Sequence, residues 1–149
     1  MGKAFGSCRS DASLLVKLGD PVATEEALQK FEEQTNWGQQ RRAFGYLSRA
    51  GRPDVIVRMK KNLFTEETPE GSLFEEDMRV TPLSVQSTRI ILQTLVVAPG
   101  VADNVREWAG LQSQSSLTNA ELRERVRRWF LQNTTALEQQ RYSELTVLR

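Results

Sequence analysis

Arginines are the residues of this chain best placed to do chemistry. Arg41 and Arg42 are adjacent, and no Asp or Glu stands three or four positions from either. Two guanidiniums without a local counter-ion must find one elsewhere, in a distant carboxylate or in a phosphate. A second run, Arg123, Arg125, Arg127 and Arg128, reads differently. Glu121 stands four residues before Arg125, and Glu124 four before Arg128, the usual decoration of a solvated helix face. Arg123 and Arg127 share another face and have no following acid at those spacings.

Catalytic chemistry has little to work with. The chain has no histidine, which removes the commonest general base and the commonest metal ligand. Hydroxyl and thiol nucleophiles therefore lack their usual activator. No G-x-S-x-G, P-loop, G-x-G-x-x-G or H-E-x-x-H pattern occurs. The single cysteine, Cys8, excludes an internal disulfide and any C-x-x-C site. Glu66, Glu67, Glu70, Glu75, Glu76 and Asp77 supply carboxylates, but in a polar stretch with no apolar walls to raise a pKa and without calcium-loop spacing. They read as a solvated acidic loop. No enzyme is expected, and with it no catalytic residue, no metal and no cofactor.

The charges fall in two neighbouring blocks. Residues 38–61 carry Arg41, Arg42, Arg49, Arg52, Arg58, Lys60 and Lys61 against Asp54 alone, and residues 62–79 carry the six acids above against Arg79. Blocks of opposite sign can pair within one molecule or between copies of it. Over the whole chain, Lys+Arg 20 against Asp+Glu 19 leaves +1, which excludes a uniformly basic nucleic-acid binder. A length of 149 residues fits one domain. No stretch approaches the ~20 apolar residues of a membrane span, and residues 1–8 lack the apolar core of a secretory signal. A soluble cytosolic protein is the expectation. Gly2 after Met1 fits an N-myristoylation pattern loosely, with the hydroxyl of Ser7 one place late and Cys8 as a second anchor. The simpler reading of residues 1–10 is a small-residue terminal arm.

The elements that must position these side chains follow from caps and breakers. Residues 11–18 read as a short helix. Thr24 can cap a helix whose first turn holds Glu25 and Glu26 and whose inner stripe holds Leu28 and Phe31. Asn36 with Gln39 reads as the capping box of a second helix, lined by Trp37, Phe44 and Leu47 and closed by Gly51. The tight join favours an antiparallel pair. Residues 54–59 are β-branched and follow Pro53, which predicts a strand; residues 73–80 are the second candidate, and residues 62–72 the acidic loop between them. Thr81-Pro82 opens a helix running to Ala98, in which consecutive Ile90, Ile91 and Leu92 imply burial on more than one side. Pro99-Gly100 stops it. Val101, Val105 and Trp108 propose a short helix to Leu111, followed by a polar loop over 112–116. Leu117, Thr118, Glu121 and Leu122 then combine a capping box with a hydrophobic staple at the start of the last helix, where Asn133 interrupts an apolar stripe that Leu137 resumes.

In that order several of these features resemble one family. Asp20-Pro21 opens the first long helix, Gln39-Gln40-Arg41-Arg42 lies in the second, and Pro53-Asp54-Val55-Ile56-Val57-Arg58-Met59 is similar to a Pro-x-Val-x-Val-Arg-Phe strand. A second strand, a helix opened by Pro82-Leu83 and a long C-terminal helix follow. The chain resembles the coat proteins of rod-shaped plant RNA viruses, the tobamovirus type, best over residues 20–59. It departs from them after the third helix, where Pro99-Gly100 replaces an arginine-rich turn, and at Leu117-Thr118-Asn119-Ala120-Glu121, which replaces an Arg-Arg-x-Asp-Asp start to the last helix.

The resemblance implies a mainly α subunit, a four-helix bundle with a small two-stranded β element at one end, forming a single domain over residues 1–149. It implies a structural capsid protein of the virion, met also in the host cytoplasm, that polymerises helically with copies of itself around single-stranded RNA. Arg41 and Arg42 fall on the family's RNA-contacting position; Arg89, Arg106, Asn119 and Arg123 join them through their proximity to helix ends in that fold. A non-closing contact between copies builds a filament, and RNA held through phosphates needs only a few arginines per subunit. No membrane enters this reading. The alternatives are a lipid-anchored peripheral membrane or matrix-type protein held by Gly2 and Cys8, and a helical protein–protein adaptor.

Overall fold

The computed structural model describes residues 20–33, 37–65 and 83–149. Among these the protein is mainly helical. The helices are α1 (Pro21–Glu33), α2 (Trp37–Arg49), α3 (Asp54–Arg58), α4 (Lys60–Leu63), α5 (Leu83–Val97), α6 (Asp103–Ser113), α7 (Asn119–Gln132) and α8 (Thr134–Glu138), followed by a 3-10 turn at Tyr142–Glu144.

The run of three apolar residues in α5 has the predicted consequence. Ile90, Ile91 and Leu92 are all buried, along with Leu83, Val85 and Leu95. Helices α2, α3, α4, α6 and α7 all pack against α5. A narrow strip stays open, along Gln86, Arg89, Gln93, Val96 and Val97, whose spacings keep them on one side of the helix. The helix stops at Pro99-Gly100 as expected, with Gly100 at φ +83°, a conformation that favours glycine.

The first helix begins earlier than Thr24. Asp20 is its cap: its Oδ2 accepts from the Ala23 amide at 2.8 Å, and Pro21 takes the first helical position, where its missing N–H costs nothing. Thr24 lies inside the helix, buried, and its hydroxyl donates to the Asp20 carbonyl at 2.7 Å. Buried Gln40 fastens α2 to α1, its Nε2 donating to the Phe31 carbonyl at 3.0 Å. Helix α2 ends where Gly51 adopts φ +69°, as its sequence indicated. The Asn36–Gln39 capping box, the helix at 11–18, the arm at 1–10, the second strand at 73–80 and Thr81-Pro82 lie outside the described residues.

Residues 54–59 do not form a strand, and no strand occurs among the described residues; here the expected β element is corrected. Val55, Ile56, Met59 and Leu63 are all buried. A strand would send Val55 and Ile56 to opposite faces, whereas a helix gathers positions 55, 56, 59 and 63 into one stripe. Burial of that stripe against α5 outweighs the weak strand preference of Val and Ile. The acidic loop also begins later than residue 62, because Asn62 and Leu63 are buried in α4; its stretch from residue 66 on lies outside the described residues.

At the other end, Thr118 and Glu121 form the expected capping box, and Leu117 and Leu122 both join the core. The helix that follows α5 runs to Ser113, so the polar loop is shorter than the sequence suggested. Trp129 stacks on Trp108 with ring centroids 5.9 Å apart. Asn133 does more than interrupt a stripe: it ends α7. Its Nδ2 donates to the carbonyls of Trp129 (2.9 Å) and Thr146 (3.1 Å), and its Oδ1 accepts from the Thr146 amide at 2.8 Å. The indole of Trp129 donates to the same Thr146 carbonyl at 2.7 Å. One buried amide thereby clips the C-terminal segment onto the bundle.

Two stability outcomes follow. Asn133→Ala leaves buried partners unsatisfied and is expected to cost about 2–3 kcal/mol in denaturant unfolding, with faster carboxypeptidase trimming of residues 145–149; unchanged stability and trimming would contradict the clip. Exposed Gln140 sits at φ 58°, where Arg141 and Gln140 amides close the end of α8 onto Ala136 and Leu137 carbonyls. Gln140→Gly relieves that backbone and is expected to stabilise by about 1 kcal/mol, read as a higher melting temperature.

Candidate anion-binding face

The basic block at 38–61 is partly neutralised by the fold. Arg52 grips Asp54 with two hydrogen bonds, of 3.0 and 2.8 Å, which hold the Asp54 carboxyl below the usual aspartate range. Arg58 on α3 reaches Glu25 on α1 with two more, of 2.7 and 3.1 Å, and lowers the Glu25 pKa in the same way. Lys60 lies 3.9 Å from Glu138. Arg42 and Arg49, both on α2, are not neutralised in this way.

That helix contains three arginines and no acid. Its inner side carries Gln40, Ala43 and Leu47, all buried. At 100° per residue the opposite side carries Arg41, Arg42, Gly45 and Arg49, and the three arginines are exposed. Arg42 and Arg49 stand two turns apart, about 10.5 Å along the axis. Gly45 between them has no side chain to lift Arg49 away: a Cβ placed there would lie 3.4 Å from the Arg49 Nη2. Neither Arg42 nor Arg49 has an ion pair among the described residues.

The other candidate residues divide into two groups. Arg89 on α5 is exposed, and its Nη2 donates to the Asn119 Oδ1 at 2.6 Å. Arg123 on α7 turns into the seam with α5, where it donates to the Ser84 hydroxyl at 3.2 Å. These two bonds pair 89 with 119 and 84 with 123, so α5 and α7 run antiparallel. Arg106 has a structural use. Its guanidinium donates to the carbonyls of Val96 at 2.6 Å and Ala98 at 2.8 Å, satisfying acceptors that the end of α5 leaves open. Arg127 does the same for α4, donating to Leu63 at 2.8 Å and Thr65 at 3.2 Å while lying 5.8 Å from the Phe64 ring centroid. Arg125 donates to Gln112 at 3.3 Å, and Glu121 accepts from the Thr118 amide, in place of the expected pairing between them.

Thus the structure brings Arg89 and Asn119 together and places Arg41 and Arg42 on one open helix face. A groove of about 460 Å³ joins that face to Arg89, with Arg49 on its α2 wall and Arg89 on its α5 wall. Arg49 is the residue that sequence reasoning missed. Its signal was its position, seven residues after Arg42 in a helix without acids. Comparison with known proteins gives no further guide: no family model, curated protein or solved structure matches this chain. Among the described residues, no cluster of three or more His, Cys, Asp and Glu is placed to hold a metal ion, and no helix is long and apolar enough to cross a membrane.

The division of the arginines is measurable. Arg106→Ala strands the carbonyls at the end of α5 and is expected to cost about 1–3 kcal/mol, whereas Arg42→Ala and Arg49→Ala should stay within about 0.5 kcal/mol of the parent. Denaturant unfolding of the three variants decides it; equal losses would contradict the division.

Proposed function

We propose that this protein is a non-enzymatic, self-assembling subunit that binds single-stranded RNA through its phosphates, in the manner of a helical capsid protein built on a four-helix bundle. The observation that carries the reading is the outer face of α2. Arg41, Arg42 and Arg49 are exposed on a helix with no acid of its own, and Arg89 faces the same side from α5 across the groove. Such an array suits a flexible polyanion held without sequence readout.

Self-assembly is supported by apolar side chains that the subunit leaves outside. Val22 on α1 is 67% exposed, and Leu111 on α6 and Leu131 on α7 are each 61% exposed. They belong to three different helices. The near-zero net charge fits the same reading, since many packed copies tolerate little like charge.

The test is the salt dependence of RNA binding. For a single strand, log affinity falls against log salt with a slope of about −0.7 per neutralised phosphate. Replacing Arg42 and Arg49 together by Ala is expected to weaken binding and to flatten that slope by about 1.4, with the fold retained. A salt-independent affinity, or a variant that binds as the parent does, would refute phosphate binding by this face. A stable monomer without RNA affinity would favour the adaptor reading.

A further inference from the structure

We infer that the groove between α2 and α5 is a nucleotide site: a planar ring lies on its floor while the attached phosphate lies between Arg49 and Arg89. The groove's chemistry is divided in the way such a ligand is. Its floor is apolar, built from half-buried Phe44 and buried Leu92 and Leu122. Its two cationic walls come from different helices, and among the described residues no carboxylate lines it. A bare phosphate would use the walls and leave the floor uncovered; an apolar ligand would leave two guanidiniums without a counter-ion. A ring that carries a phosphate uses both.

Two further details fit. Gln93 also lines the groove, half-buried and without a hydrogen-bond partner among the described residues. Its amide offers both a donor and an acceptor, which matches the edge of a base. Arg89 is held by its 2.6 Å bond to Asn119, which fixes one guanidinium at the rim before any ligand arrives. The groove volume of about 460 Å³ lies within the ~300–1,000 Å³ common for small-ligand clefts. The ligand can be a free mononucleotide or one unit of an RNA strand, and in the second case the inference rests on the RNA reading above.

The full-length protein can be titrated by calorimetry with inorganic phosphate, with uridine 5′-monophosphate, and with two strands of equal length, one RNA and one abasic ribose-phosphate. The mononucleotide is expected to bind at least about tenfold tighter than phosphate, as stacking on the floor adds to the charge term. Gln93→Ala should narrow that gap, and Arg89→Ala should weaken the mononucleotide itself. If RNA also exceeds the abasic strand by a similar factor, the ligand is a unit of the strand. If only the mononucleotide gains, the ligand is free. Equal binding of phosphate and mononucleotide, with equal binding of the two strands, would overturn the nucleotide site while leaving the phosphate-binding face intact. Failure of both strands to bind, with the mononucleotide still held, would instead overturn the RNA reading and keep the site.

Discussion

Helix α5 is the constraint on which the rest depends. A 15-residue segment with ten buried side chains must be covered by other elements along most of its surface, because apolar burial is the main favourable term available to a domain of this size. Helices α2, α3, α4, α6 and α7 provide that cover. The strip left open, Gln86, Arg89, Gln93, Val96 and Val97, lies between those neighbours. It is polar over most of its length, and it is where the groove forms. The core thereby determines which cation of α5 meets solvent and which helix stands opposite it.

The same constraint sorts the arginines. Those at helix ends or in seams are recruited by groups the fold cannot leave unsatisfied. Arg106 and Arg127 take the last carbonyls of α5 and α4, Arg123 takes a serine hydroxyl on α5, and Arg52 and Arg58 pair with Asp54 and Glu25. The middle of α2 carries no acid of its own. There the helix's own carbonyls are already bonded within the helix, and Arg42 and Arg49 have no ion pair among the described residues. They are the cations on the outer face of α2 without such a pair, which is why the proposed function is tested at these two and not at every arginine of the chain.

Much of the fold was legible because its signals are local. The Thr118–Glu121 capping box, the Gly51 closure of α2, the Pro99-Gly100 stop and the burial on more than one side at Ile90, Ile91 and Leu92 each depend on a few neighbouring residues, and each is seen. The strand at 54–59 failed because Val55, Ile56 and Val57 carry a local preference that a long-range fact overrides: the stripe through Met59 and Leu63 packs on α5, nearly thirty residues away. The candidate site was half legible for a similar reason. An isolated Arg41-Arg42 pair without acids is visible in the chain. Arg106 as a cap for Val96 and Ala98, and Arg49 as a wall shared with Arg89, require knowing which helices are neighbours.

The proposed subunit, completed by copies of itself and by a polyanion, rests on the apolar side chains left outside and on the cationic face of α2. The most direct measurement is negative-stain electron microscopy of the full-length protein mixed with single-stranded RNA, with light scattering on the same sample. Rods or stacked discs that lengthen with the RNA are expected. A monodisperse particle of the 16.9 kDa subunit mass, unchanged by RNA at low salt, would contradict the assembly and the RNA binding together.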